Sequence, residues 1–198
     1  ITIVGGGAIT HTLIAIFSEA GHKVSLLTRN PNQWSDGVVS NYVDENGQIL
    51  KVWSGSLDNV SSNPAEVMIN AELIIFSLPV YSYFDTLKIV LPHLKKEKKI
   101  YLGSIYGQGG FNWMVKSLTK NNYPKLNYFS FGLVPWICRV SKYGALGLTY
   151  GPKKINTIAM RFKEDFPYLN SVLLPILSID GSSGTLKLVD NFLSLTLS

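Results

Sequence analysis

The chain opens on an apolar, β-branched run, Ile1-Thr2-Ile3-Val4, which meets Gly5-Gly6-Gly7 and then changes period at once. Over residues 8–20 the apolar positions Leu13, Ile14 and Phe17 recur at helical spacing, and Gly21 stands where a C-terminal stop belongs. A second β-prone run, Lys23-Val24-Ser25-Leu26-Leu27-Thr28, follows. Strand, glycine turn, helix and strand in this order predict a βαβ unit, whose crossover is right-handed in nearly all cases.

Further on, two alternating runs at 38–43 and 48–53 flank Asp44-Glu45-Asn46-Gly47, and Asn-Gly between such runs predicts a β-hairpin. The hairpin is expected as an insertion between main strands, with Trp34 and Trp53 as its packing anchors. Asn63 before Pro64 is a helix-start signal. Leu73-Ile74-Ile75-Phe76-Ser77-Leu78 is apolar on both faces, as a central parallel strand must be. Residues 83–94 have helical spacing that Pro92 kinks or ends, and a strand over 99–104 leads into the loop Tyr106-Gly107-Gln108-Gly109-Gly110. A helix over 111–120, a strand over 128–133 and a second hairpin follow. The arms of that hairpin, 135–140 and 145–150, flank Ser141-Lys142-Tyr143-Gly144. A strand over 154–160 and a helix over 168–177 come next. The pattern from Val189 onward reaches Ser198 without a terminator and reads as an element cut short.

These elements predict an α/β chain: a Rossmann-type, mostly parallel sheet with helices on both faces and inserted β-hairpins. Residues 1–185 are assigned to that domain, and 186–198 to the start of a further, truncated one. A chain of 198 residues fits one domain and buries about 70% of its unfolded surface without staples. Charged residues are 16% and apolar ones 46%, yet no run of about 18 apolar residues occurs, so a membrane span is not expected. The net charge is +5, with the basic residues scattered apart from Lys95-Lys96-Glu97-Lys98-Lys99. That run reads as a solvated turn between helix and strand, so nucleic acid is not an expected partner. The same mild positive field suits an anionic cofactor and a carboxylate substrate. Cys138 is the single cysteine, which excludes an internal disulfide and makes it a core filler. With no signal-like segment at its start, the chain is expected in the cytoplasm, its N-terminus trimmed.

Chemistry concentrates at the first turn. Gly5 can make the tight turn, and Gly7 lets a pyrophosphate approach the backbone. The free N–H groups of the first helical turn, at Ala8, Ile9 and Thr10, then point at that anion. Thr10 stands where the G-x-G-x-x-G/A pattern has its third small residue, which leaves the closeness of helix and strand open. About 20 residues on, an NAD site carries Asp or Glu for the ribose 2′-hydroxyl. Here the sequence is Thr28-Arg29-Asn30, with an arginine able to pair with a 2′-phosphate, so NADP is preferred and NAD remains the alternative. Leu78, Pro79 and Val80, at the carboxyl end of a central strand, fall beside the same crevice.

Taken together, several segments resemble the NAD(P)-dependent octopine/nopaline (opine) dehydrogenase family. They include Gly5-Gly6-Gly7 with His11, Leu27-Thr28-Arg29-Asn30-Pro31 with Trp34, and Ser77-Leu78-Pro79. The more specific ones are Gly107-Gln108-Gly109-Gly110-Phe111-Asn112-Trp113, Pro135-Trp136-Ile137-Cys138-Arg139 and Phe192-Leu193-Ser194-Leu195-Thr196-Leu197. The resemblance implies an N-terminal Rossmann-type domain followed by a helical one, here absent or only begun. It implies an oxidoreductase that joins an α-keto acid to the amino group of an amino acid. The family's catalytic histidine lies past the Phe192 stretch, so none of His11, His22 and His93 carries that role, and the catalytic group is expected beyond Ser198. His11 is read either as a cofactor-side contact or as a polar helix-start residue. Residues 106–109 are placed near nicotinamide and substrate, with Tyr106 and Gly107 as substrate-side candidates. Arg139 is the candidate partner of a substrate carboxylate, and a surface ion pair is its alternative. No metal is called for, and a homodimer stays open. Another 2-keto or 3-hydroxy acid reductase of the superfamily and a non-catalytic NADP(H)-sensing module are the competing readings.

Overall fold

In the computed structural model the described residues are 1–107, 109–120, 122–181 and 184–195. The opening unit forms as expected: β1 (Thr2–Val4), α1 (Ala8–Glu19) and β2 (Ser25–Leu27). The first hairpin is β3 (Gly37–Val43) and β4 (Ile49–Ser56), and a short strand, β5 (Asn59–Ser61), returns the chain to the main sheet. Then come α2 (Pro64–Met68), β6 (Leu73–Phe76), α3 (Tyr83–Val90), β7 (Ile100–Ser104), α4 (Phe111–Thr119) and β8 (Leu126–Phe131). The second hairpin is β9 (Ile137–Lys142) and β10 (Leu146–Tyr150). The last elements are β11 (Ile155–Met160), α5 (Phe166–Leu177) and β12 (Thr185–Leu188).

The main sheet runs β12-β11-β8-β7-β6-β1-β2-β5. From β5 to β8 all pairings are parallel, while β11 joins β8 antiparallel. The strand order reverses beside β1, between β2 and β6, and ligands of open α/β sheets bind outside the carboxyl ends of strands at such a switch point. Alternation along the central strands serves two cores. Ile3, Leu73 and Ile75 face the layer of α1 and α5, and Val4, Ile74 and Phe76 face the layer of α2, α3 and α4.

The two inserted hairpins combine in one four-stranded sheet, β4-β3-β10-β9, through parallel pairing of Leu146 with Val39 and of Leu148 with Asn41. This sheet lies over α1. Every residue of α1 from 10 to 17 is therefore buried, a result of being covered from two sides. Burial of Leu13, Ile14 and Phe17 contributes about 1.5–3 kcal/mol each. Residues 185–188 form β12, paired parallel to β11 from Thr185 to Leu188. Both β5 and β12 are too short to leave a periodic signal, and pairing with a neighbour makes them strands. Beyond them, a single turn of 3₁₀ helix spans Phe192–Leu195. The closing residues Thr196, Leu197 and Ser198, and Gln108 in the glycine-rich loop, lie outside the described residues.

Candidate functional site

The glycine turn sits at the switch point. Gly5 has φ +124°, and its N–H donates to the Leu27 carbonyl at 2.9 Å, which ties the turn to β2. A Cβ there would lie 2.8 Å from the Ser77 carbonyl and 2.9 Å from Leu78 Cδ2. Only glycine tolerates both that backbone and that contact. Gly7 is exposed and caps α1 in extended geometry, with no side chain over the helix end. The N–H groups of Ala8 and Ile9, half-buried at this end, lack acceptors within the helix.

Thr10 resolves the departure from the glycine pattern. It is fully buried, its hydroxyl donates to the Gly5 carbonyl at 2.9 Å, and it lies 2.7 Å from Ser77 Oγ. A hydroxyl that fixes the turn to β6 replaces the close glycine packing, so helix and strand stay near each other.

At the end of β2, Thr28 is buried and its N–H donates to Ser61 of β5. Arg29 and Asn30 are exposed, and Arg29 makes no ion pair or hydrogen bond among the described residues. No carboxylate stands at this strand end. Leu78 and Val80 are half-buried and Pro79 is exposed. Val80 packs where a side chain on Gly109 would go, and the Tyr83 hydroxyl donates to the Tyr106 carbonyl at 2.8 Å. Gly107 is buried, its N–H donating to the Phe131 carbonyl at 2.7 Å. The loops after β6 and β7 thus form one wall against the glycine turn.

Arg139 is not brought to this wall. It alternates with Cys138, which faces α1 and the Thr12 hydroxyl, so Arg139 faces out of the small sheet. Its guanidinium donates to the carbonyl of Cys138. Cys138 itself is a core residue, and burial pushes its thiol up to about 12.

His11 is neither exposed nor free. Its Nε2 accepts the Gly144 N–H at 2.9 Å, which places the proton on Nδ1, and Nδ1 donates to the Gly7 carbonyl at 2.9 Å. Its ring lies 4.6 Å from Trp34 and 5.8 Å from Tyr143. Burial lowers its pKa from the ordinary histidine value, against the opposing effect of the Gly7 bond. Through His11 the second hairpin closes on the glycine turn. The sequence carried one sign of this, an aromatic residue, Tyr143, beside the glycine of a hairpin turn. Its nearness to Gly6 depends on a fold-back that no local pattern records. Among the described residues no cluster of His, Cys, Asp or Glu is arranged to hold a metal ion. No helix among them is long and apolar enough to cross a membrane.

No protein-family model matches the chain. The octopine dehydrogenase of Mizuhopecten yessoensis is 20% identical over 205 aligned positions, covering 100% of this chain and 50% of that protein. The chain spans between 21% and 50% of the length of such curated relatives. Among solved structures, octopine dehydrogenase with NADH and L-arginine superposes with a TM-score of 0.83 at 17% identity, over 99% of this chain and 50% of that one. Yersinopine dehydrogenase in its NADP⁺-bound form gives a TM-score of 0.69 at 17% identity, over 88% and 45%. The fold is thus the Rossmann-type fold of these dehydrogenases, and the resemblance noted from the sequence holds along the whole chain.

Proposed function

We propose that this chain is the dinucleotide-binding part of an opine-type dehydrogenase, an oxidoreductase that reductively joins an α-keto acid to an amino acid, with NADPH preferred over NADH. The observation that carries this is the glycine turn at the sheet's switch point, with an arginine unpaired among the described residues and no carboxylate at the end of the next strand. The solved relatives, one with NADH and one with NADP⁺, support a nicotinamide cofactor of either kind.

The residues present fit such a group, because exposed Gly7 leaves the N-terminus of α1 without a capping side chain, and nothing in the protein beyond its chain neighbours lies nearer than 3.9 Å to where its Cβ would be. Ala8 and Ile9 offer their N–H groups to the pyrophosphate, aided by the dipole of α1, and Gly7 leaves the approach open. Thr10 holds the turn in shape. Thr28, Arg29 and Asn30 border the adenosine end, where Arg29 pairs with a 2′-phosphate. Leu78, Pro79 and Val80 border the central ribose and nicotinamide, and Tyr106 and Gly107 the substrate side. When bound, the cofactor supplies the hydride that reduces the carbon–nitrogen double bond joining the two substrates. His11 cannot supply the accompanying proton, since both its ring nitrogens are engaged. His22 packs edge-on against Phe17 at the far end of α1, and His93 lies in the turn that ends the α3 segment. The general acid belongs to another part of the protein.

Fluorescence titration of the 198-residue chain tests this. NADPH binds more tightly than NADH, and Arg29→Ala weakens NADPH by about tenfold while leaving NADH nearly unchanged. Tighter NADH binding, with no effect of the substitution, overturns the 2′-phosphate assignment. The same chain shows no turnover with pyruvate and amino acids, and appreciable turnover overturns the assignment of the acid to another part.

A further inference from the structure

Gly6 has no catalytic claim in the glycine pattern, yet polar groups without partners converge on it. A Cβ at this position would lie 2.7 Å from the Tyr143 hydroxyl, 3.0 Å from Thr28 Oγ1 and 3.6 Å from Cζ2 of Trp34. Neither hydroxyl makes a hydrogen bond among the described residues. Cζ2 belongs to the edge of the indole that carries its N–H, and that Nε1 is buried without a partner. Trp34 is only 9% exposed, so the orphaned donor is a cost that folding alone does not explain. All three groups stand beside the N-terminus of α1, where backbone donors are also free.

Tyr143 is held in place by its backbone while its side chain stays available. The next residue, Gly144, donates its N–H to His11 and accepts the N–H of Ser35 at 3.0 Å. With φ +70°, Gly144 also packs so closely that a side chain would run into the Gln33 carbonyl. The tip of the β9–β10 hairpin is thereby locked to the turn after β2, and the Tyr143 ring, 42% exposed, leans over the glycine turn. A fixed loop that presents a free hydroxyl beside a helix N-terminus is suited to an anion.

We propose that Tyr143 binds a phosphate of the dinucleotide, with the Thr28 hydroxyl and the Trp34 indole N–H completing the same subsite. This rests on the reading of the chain as a dinucleotide-binding unit. The second hairpin then belongs to the binding site, although it lies more than a hundred residues from the glycine turn in sequence. Either the pyrophosphate or a 2′-phosphate supplies the same chemistry.

The test titrates NADPH and NADH against wild-type, Tyr143→Phe and Thr28→Val chains, with melting temperature as the control for folding. Removing one charge-assisted hydrogen bond weakens binding by about tenfold. Equal weakening of both cofactors assigns Tyr143 to the pyrophosphate, and weakening of NADPH alone assigns it to the 2′-phosphate; either supports the proposal. Wild-type affinity for both cofactors in Tyr143→Phe, with unchanged melting, overturns it and leaves the dinucleotide reading intact. A wild-type chain that binds neither cofactor overturns that reading, and this subsite with it.

Discussion

At the scale of single residues, His11 shows how a helix-start polar residue becomes a structural joint. The Gly144 N–H demands a lone pair on Nε2, and the Gly7 carbonyl demands a proton on Nδ1, so the neutral ring is the form that fits. Burial lowers its pKa below the ordinary value of 6.5. In the unfolded chain the ring takes up its proton near that ordinary value; in the folded chain it does so only at lower pH. Its contribution to stability is therefore full above pH 6.5 and is lost as pH falls through the lowered value. Chemical denaturation of wild type between pH 7.5 and pH 5 should show a slope from this group of at most about 1.4 kcal/mol per pH unit. His11→Gln should remove that component of the slope, whatever it does to stability at neutral pH. An identical slope in the two proteins would show that His11 does not titrate differently on folding.

Among the elements, α1 carries the most. It has no side-chain cap, and its residues 10–17 are all buried, so packing and not propensity holds it. One contact is unusually close. A Cβ at Gly55 of β4 would lie 2.8 Å from both the Cα of Ala15 and the carbonyl oxygen of Ile14. Gly55→Val should push the hairpin off α1 and cost about 1–3 kcal/mol, read as a shift in the urea midpoint. An unchanged midpoint would mean that β4 does not press on the helix in solution. Asn127 plays a comparable part at the other edge of the sheet. Its amide group bonds the Phe162 carbonyl, the Phe162 N–H and Asp165, joining β8 to the start of α5.

For the whole molecule, the shared helix has a thermodynamic consequence. The small sheet has its core on α1, and α1 also belongs to the core beneath the main sheet. Neither sheet can be lost without exposing that helix. Calorimetric unfolding should therefore show one transition, with calorimetric and van't Hoff enthalpies equal. Two resolved transitions would show the four-stranded sheet to be an independent unit.

What the sequence determined by itself was local. Period-two and helical spacing marked the main elements, Gly5 and Gly7 marked the turn between β1 and α1, and Arg29 without a carboxylate marked the character of the strand end. Each rests on constraints that act within a few residues: backbone sterics, alternation and the chemistry of one side chain. The tertiary structure decided the rest. It joined two hairpins through the pairing of Val39 with Leu146, made strands of residues 59–61 and 185–188, buried His11, turned Arg139 outward and set Tyr143 over Gly6. Those outcomes depend on pairings between distant segments, which minimise exposed apolar surface and unpaired backbone over the whole chain and leave no trace in any short window.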